Sequence, residues 1–295
     1  MAKKVDFPCV IKPLSLAASQ GVIRADDERQ FILAVDRLEA VLNHEYGPPA
    51  SEISDAGEQP RVPRSASAER FLVEQFIDGP EFALEGMLTR GALHTIALFD
   101  KPDPLDGPFF EETIYVTPSR LVAETQDKIA RCAEQAAQSL GLTEGPIHAE
   151  LRLAKDGPTV IEVNARSIGG LCSRVIRFGT GISLEELIIR HAIEEDFELP
   201  KRQSQATGVM MIPTPHAGRF VEVRGLNDAK AVSGVEDVTI SAHPGQRLVP
   251  LPEGSQYLGF IFACAESPAA AEAALRESHA RLEFVIERTR RQQTT

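Results

Sequence analysis

Glu150, Glu162, Asn164 and Arg166 are the residues of this chain whose types and spacing could do chemistry. They lie in Gly145-Pro-Ile-His-Ala-Glu-Leu-Arg152 and Val160-Ile-Glu-Val-Asn-Ala-Arg166, on either side of Lys155-Asp-Gly157. Strict alternation makes the first run a strand, with Ile147, Ala149, Leu151 and Leu153 on one face and His148, Glu150 and Arg152 on the other. In the second run Ile161 and Val163 point one way and Glu162, Asn164 and Arg166 the opposite way. A three-residue hairpin loop closed by Gly157 in the left-handed region sets Glu150 opposite Glu162 and His148 opposite Asn164. Carboxylates facing each other across a ladder repel, so a cation is expected between them. Glu150, Glu162 and Asn164 offer three hard oxygen ligands, which suit Mg²⁺ with water and nucleotide phosphates completing its shell. Arg166 could then hold an anionic group beside the metal. A single such Glu pair reads better as a solvated polar face; Arg166 and Gly169-Gly170 shift the balance to a metal site.

The surrounding elements must bring a nucleotide to that hairpin. Residues 7–12 read as a short strand stopped by Pro13, which cannot donate to a ladder. Lys12 points with Val10, away from the Cys9/Ile11 face, and is followed by the small-residue loop 14–21 with Ser15, Ser19 and Gly21. Such a loop can fold amides and hydroxyls over phosphates while the lysine adds a point charge. Neither G-x-x-x-x-G-K-[ST] nor G-x-G-x-x-G occurs in the chain. Asp26-Asp27 caps a helix to about Leu42, with Phe31, Ile32, Val35, Leu38 and Leu42 at helical spacing. Residues 46–68, rich in Pro, Ser and charge, read as an exposed loop. Strands follow at 70–77, 81–88 and 92–99. The end of the first, at Glu74, Gln75 and Ile77, suits pairing with an adenine edge, and Glu81 could accept from ribose hydroxyls. Taken singly, Glu74 and Glu81 read better as solvated carboxylates.

Residues 101–118 form a Pro-rich connection, and 124–140 a helix ended by Gly141. Helices are expected near 170–178 and 183–195, strands from 205 to 264, and a last amphipathic helix over 268–286 before a polar tail. The balance is α+β with mostly antiparallel sheets. The 295 residues, 43% hydrophobic and 25% charged, have the proportions of a globular protein. A net charge of −12 argues against nucleic acid and anionic membrane as partners. Four scattered cysteines without a C-x-x-C pair argue against a disulfide framework or zinc site and point to the reducing cytoplasm. The start carries no signal-peptide core, and no apolar run approaches the roughly 20 residues of a membrane span. No Ser-His-Asp or Cys-His arrangement stands out.

The order Val10-Ile-Lys-Pro13, Ser19-Gln-Gly-Val22, Val73-Glu-Gln-Phe-Ile-Asp-Gly-Pro-Glu-Phe82, His148-Ala-Glu-Leu-Arg152 and Ile161-Glu-Val-Asn-Ala-Arg166 resembles the ATP-grasp superfamily. Within it the chain is most similar to carboxylate–amine ligases of the L-amino-acid ligase and carnosine-synthase type. The resemblance covers about residues 5–200, and more loosely 205–265. It implies two α+β subdomains clasping ATP: 1–78, incomplete and carrying the loop 46–68, and 79–200 with the Mg/ATP site. Residues 201–295 would be a C-terminal β-rich portion with a terminal helix. By the same resemblance Lys12, Ser19 and Gly21 would hold phosphates, Glu74, Gln75 and Ile77 adenine, and Glu81 ribose. Glu150, Glu162 and Asn164 would coordinate Mg²⁺, or Mn²⁺ in its place. Arg166 would steady the transferred phosphate, and Glu112, in the stretch with Lys101, would meet a substrate ammonium. The implied reaction joins a carboxylate and an amine, both from amino acids, through an acyl-phosphate.

Two departures from the family stand out. Such ligases carry an α/β domain ahead of the strand ending at Lys12, and this sequence starts almost on that strand, so it is expected to be either a gene fragment or completed by a separate N-terminal half; a homodimer is the other macromolecular partner considered. The phosphate loop, with only Gly21, is poorer in glycine than its counterparts. Two rival readings follow: a fragment that binds nucleotide without turnover, and an enzyme of the same superfamily using bicarbonate or a purine precursor.

Overall fold

The computed structural model describes residues 5–46, 70–195 and 205–288. The expected loop 46–68, apart from Tyr46, and most of the polar tail fall outside them. The chain opens with β1 (Cys9–Pro13), β2 (Ile23–Ala25), α1 (Glu28–Tyr46) and β3 (Phe71–Gln75). The three strands form an antiparallel sheet in the order β2-β1-β3. Asp27 caps α1 by accepting from the Gln30 amide at 2.8 Å, and the Gln30 side chain accepts from the Asp26 amide at 2.9 Å. Cys9 and Ile11 on β1 pack against Phe31, Ala34, Leu38 and Leu42 on α1. Ile32, expected in that stripe, is exposed, and Ala34 takes the inward place. Val10 and Lys12 are left on the opposite face of the sheet.

β4 (Glu81–Thr89), β5 (Ala92–Asp100), β6 (Ile114–Thr117), α2 (Ala123–Ser139), β7 (Gly145–Ala154) and β8 (Gly157–Asn164) follow. Then come α3 (Arg174–Thr180), α4 (Leu184–Ala192), β9 (Ala206–Ile212), β10 (Gly218–Arg224), α5 (Leu226–Lys230) and β11 (Val235–Ile240). The chain continues through β12 (Arg247–Leu248), β13 (Gly259–Ala265), α6 (Pro268–Ala280) and β14 (Glu283–Glu287). An eight-stranded antiparallel sheet runs β11-β13-β9-β6-β5-β4-β7-β8, and β12-β10-β14 form a third sheet. α2 and α6 cover one face of the large sheet through Ile129, Ala133, Ala271 and Leu275. α3 and Leu184 of α4 pack on Phe99, Tyr115, Val209 and Phe262 of the other. Full burial of each of the larger aliphatic and Phe side chains among them stabilises the fold by about 1.5–3 kcal/mol.

Four expectations are corrected here. β6 lies inside the stretch read as a connection. Its four residues are buried on both faces, so they show no alternation. α5 adds a short helix to a stretch read as strands and turns. The terminal helix stops at Ala280 rather than running to Ile286. Phe284, Val285 and Ile286 pair with β10 instead, which the β-branched and aromatic Phe-Val-Ile run favours. The hairpin turn has two residues, Lys155 and Asp156, with Ala154 paired to Gly157 at φ +123°. A β-bulge beside Glu150 and Leu151 then restores the expected register, so Glu150 does face Glu162 and His148 does face Asn164. The bulge turns Ile161 from the core side into the cavity described below; Val160 and Val163 pack on the core, and Val160 also lines the cavity. The large sheet also runs unbroken across residue 200, because β9, β11 and β13 share it with β4–β8.

Candidate active site

A cavity of about 600 Å³ lies between the three-stranded sheet and the β7–β8 end of the large one. The small sheet contributes Val10, Lys12 and Glu74 through Ile77; the loop after β1 contributes Leu16 through Gln20. Opposite them stand Glu81, Leu105, Phe110, Glu112, Glu150, Arg152, Ile161, Glu162, Asn164 and Arg166. Of the residues singled out by sequence, Lys12, Ser19, Glu74, Gln75, Ile77, Glu81, Glu112, Glu150, Glu162, Asn164 and Arg166 all line this cavity. Gly21 does not; it lies behind the loop, its amide donating to Pro252 O at 2.9 Å. Lys12 Nζ pairs with Glu74 at 2.6 Å on the open side.

The ladder explains the deep end. Alternation puts Glu81, Ala83 and Glu85 of β4 on one face, against Arg152, Glu150 and His148 of β7 respectively. Opposite charges thus fall directly across from each other, except at Ala83, whose small side chain leaves room for Glu150. Lys101, buried just beyond β5, donates to Glu81 at 2.7 Å, to Glu150 at 2.9 Å and to Glu112. Its ammonium also lies 4.9 Å from the Tyr115 ring centroid. His148 Nδ1 bonds Glu85, and Nε2 lies 3.4 Å from Glu150. Glu85 also accepts from the Ile168 amide at 3.1 Å, tying the strand to the loop after Arg166. Arg152 bonds Glu81 at 3.0 Å, Ile77 O at 2.7 Å and Leu105 O, which fixes the wall that ends at Ile77. Phe76 stacks with Phe110 at 6.4 Å between centroids, with Arg24 3.9 Å and Arg152 4.9 Å from the Phe76 ring.

These contacts set the protonation states. Burial disfavours the Lys101 ammonium, but Glu112 and Glu150 outweigh that and hold its pKa well above the ordinary lysine value. Burial and the Glu150 charge push Glu112 up to about 7 against the pull of Lys101. Burial alone would raise Glu150; Lys101 and His148 hold it well below the usual carboxylate range. Burial opposes the His148 imidazolium, yet its bonds to Glu150 and Glu85 raise it to about 9, so both ring nitrogens donate at neutral pH. Burial raises Glu85 despite His148.

Two groups of oxygens could hold a cation. Atoms of Glu81, Glu112 and Glu150 approach within 4.8 Å of one another, but the Lys101 ammonium already stands among them. The second group is Glu150, Glu162 and Asn164, on facing strands and lining the same cavity. Lys101 and His148 both use Oε1 of Glu150, which leaves Oε2 for a cation. Asn164 Nδ2 donates to Glu162 Oε1, which leaves the Asn164 carbonyl oxygen and Glu162 Oε2 as further hard donors. That donor set fits Mg²⁺. Arg166 bonds Ser167 O at 2.8 Å and lines the cavity.

Sequence reading left Glu85, Arg152, Phe76 and Phe110 without a role, and gave Lys101 and His148 only a passing one. The signal was present in part: Glu81 and Glu85 share a face of one strand, and His148, Glu150 and Arg152 share a face of another. The pairing of β4 with β7 brings these faces together, and no local pattern announces it.

The ATP-grasp domain family matches residues 5–175, and L-amino acid ligase C-terminal domain 2 matches residues 210–287. The crystal structure of L-amino acid ligase from Bacillus licheniformis is 32% identical, with a TM-score of 0.76 over 96% of this chain and 65% of that one. Alanine–anticapsin ligase of Bacillus subtilis is 27% identical over 63% of this chain and 39% of its own length. Dapdiamide A synthase of Enterobacter agglomerans is 25% identical over 91% of this chain and 60% of its own. The chain therefore spans between two fifths and two thirds of these relatives. Among the described residues no helix is long and apolar enough to cross a membrane. With its first 175 residues matched almost throughout, the chain belongs to the ATP-grasp family.

Proposed function

We propose that this chain carries the ATP site of a carbon–nitrogen ligase that joins the carboxylate of one amino acid to the amine of another. One observation carries this reading: nucleotide-type, metal-type and anion-type side chains from both sheets converge on one cavity. The match to an L-amino acid ligase C-terminal domain and the names of the relatives support amino acids as the substrate class.

Lys12 and the loop residue Ser19 bind phosphates, with Gly21 at the loop's rear. Glu74, Gln75 and Ile77 present strand-end groups to adenine, and Arg152 keeps Ile77 in place. Glu81 lies at the ribose position, although Lys101 and Arg152 already engage its carboxylate. Glu150, Glu162 and Asn164 would hold Mg²⁺, which neutralises phosphate charge when bound; Mn²⁺ offers the same coordination. The substrate carboxylate attacks the γ-phosphorus, the bond to the β-phosphate oxygen breaks, and ADP leaves. Arg166 neutralises charge on the transferred phosphoryl oxygens. The amine nitrogen then attacks the acyl carbon, the carbon–oxygen bond to phosphate breaks, and phosphate leaves, taking up the proton that the nitrogen loses as the amide forms. Glu112 holds the ammonium end of a substrate. Positioning and electrostatics do most of the work, so no nucleophilic side chain is needed.

Calorimetric titration with a non-hydrolysable ATP analogue, with and without Mg²⁺, is the first test, followed by product analysis over carboxylate and amine pairs. Saturable Mg²⁺-dependent binding is expected, and its absence in a folded chain would defeat the reading. The partial coverage of the relatives favours one second reading, in which the chain binds nucleotide but turns over only with the remainder of such a ligase supplied. A product appearing only on that addition would identify it.

A further inference from the structure

The loop over the cavity is held from behind by a part of the chain more than two hundred residues away. Ala18 and Ser19 both have positive φ, 53° and 58°, an arrangement that non-glycine residues keep only when their surroundings enforce it. Next to them Gln20 is buried at 8% exposure. Its side-chain amide donates to Glu253 O at 2.8 Å and to Glu45 Oε1 at 3.0 Å. The Gly21 amide donates to Pro252 O at 2.9 Å. Arg37 on α1 grips the Glu253 carboxylate with two bonds of 2.5 and 3.0 Å. The segment is itself a tight turn, with Gly254 N donating to Pro250 O at 2.9 Å. A Cβ at Gly254 would come within 1.8 Å of Val249 O, so this turn accepts no side chain there without moving. Behind the loop lies a second cavity of about 410 Å³, which Gln20 also lines, with His44, Glu45, Arg247, Glu253 and Gln256. Gln20 is thus a partition between the two cavities.

We propose that segment 250–254 positions the phosphate-binding loop, with Gln20 as the positioning residue that transmits its hold. The inference rests on the proposed nucleotide site, since it assigns to residues 16–20 the task of meeting phosphates. The C-terminal region then shapes the mouth of a site to which, among the described residues, it adds no lining residue. Fastening the loop in its bound shape beforehand lowers the ordering cost when nucleotide arrives. The residue is polar and buried for this reason: its donor group has two acceptors on two other segments, and neither is substrate.

The test compares wild type with Gln20→Met, which keeps the volume and removes the donors, and Gly254→Ala, which shifts the turn far from the nucleotide. Amide hydrogen exchange at Gln20 to Val22 and calorimetric affinity for the Mg²⁺–ATP analogue are read together, with denaturant midpoints as control. Both variants should speed exchange at these amides. Each should weaken analogue binding about fivefold, the fold-change of one ordinary hydrogen bond; the denaturant midpoint should change little in Gln20→Met and fall in Gly254→Ala, whose Cβ meets Val249 O. Where the variants are assayed for turnover, KM for ATP should rise while KM for the amine stays the same, a split that general destabilisation does not produce. Wild-type affinity and wild-type exchange in Gln20→Met would overturn the proposal, whether or not Gly254→Ala folds. If wild type binds no nucleotide, the site reading fails; exchange alone then decides the hold, and unchanged rates overturn it too.

Discussion

Lys101 stabilises by neutralising charges that its neighbours could not bear alone. Removing it as Lys101→Met leaves Glu112 buried beside Glu150 without its cation, while Arg152 and His148 still serve Glu81 and Glu150. Breaking a buried ion pair from one side costs about 3–5 kcal/mol; Glu112, partly exposed and with its pKa already at about 7, escapes part of that by taking up a proton, so the denaturant midpoint should fall by less than this amount. Glu162, by contrast, is exposed, and across the ladder it faces the like charge of Glu150. Glu162→Gln should therefore change stability by no more than about 0.5 kcal/mol while abolishing the Mg²⁺ dependence of nucleotide binding in calorimetry. Retained metal-dependent affinity would remove Glu162 from the ligand set. Arg166→Ala should leave analogue affinity near wild type and lower turnover, read in single-turnover product formation.

At the scale of elements, α6 fastens the stretch between β5 and β6 that carries Lys101 and Glu112. Arg276 on α6 bonds Asp103 at 2.5 Å, and Asp103 in turn accepts from Thr113, next to Glu112. Burial works against the Asp103 carboxylate, but Arg276 and Thr113 prevail and lower its pKa. A depressed carboxylate contributes stability above its unfolded pKa, and that contribution is lost as pH falls through the folded value. The pair is part-exposed, so the contribution is at most about 1 kcal/mol. Wild type should lose it on acidification below about pH 4, whereas Arg276→Ala, lacking it already, should show a shallower acid dependence of the denaturant midpoint. Equal pH slopes would show that Arg276 does not tune Asp103.

Legibility in the sequence followed the range of the interactions. The β7–β8 hairpin, the cap of α1 and the face on which Lys12 stands were readable, because alternation and capping are local. β6 was not, since four residues buried on both sides carry no period, and β14 was not, since its strand state depends on β10 some sixty residues earlier. The acid–base pairs of β4 and β7 were half readable, each face on its own strand and their meeting on neither.

At the scale of the molecule, the large sheet joins the region matched by the ATP-grasp domain to the region matched by the L-amino acid ligase C-terminal domain. β6 lies between β5 and β9, so Ile114 to Thr117 depend on Thr207 to Met210 for their outer hydrogen bonds. A chain cut after residue 200 would expose that edge together with Ile114 and Val116, both now buried. Such a truncation should aggregate or elute as soluble oligomers in size-exclusion chromatography; a monomeric, cooperatively unfolding product would show that the two matched regions fold independently.

The bulge beside Glu150 has a mechanical meaning of its own. The stretch from 151 to 161 contains one residue more than a two-residue turn and a regular ladder can seat, and the structure stores the surplus at Ile161. The same surplus could be stored at the turn, as a three-residue tip, without changing which residues face each other at Glu150 and Glu162. The extra residue sits like a dislocation in a lattice: the outer half of the hairpin is offset by one residue while the inner half keeps its alignment. Each position of that defect decides whether Ile161 faces the core or the cavity. The place of that residue thus sets one side chain of the cavity wall without disturbing the alignment of Glu150 with Glu162.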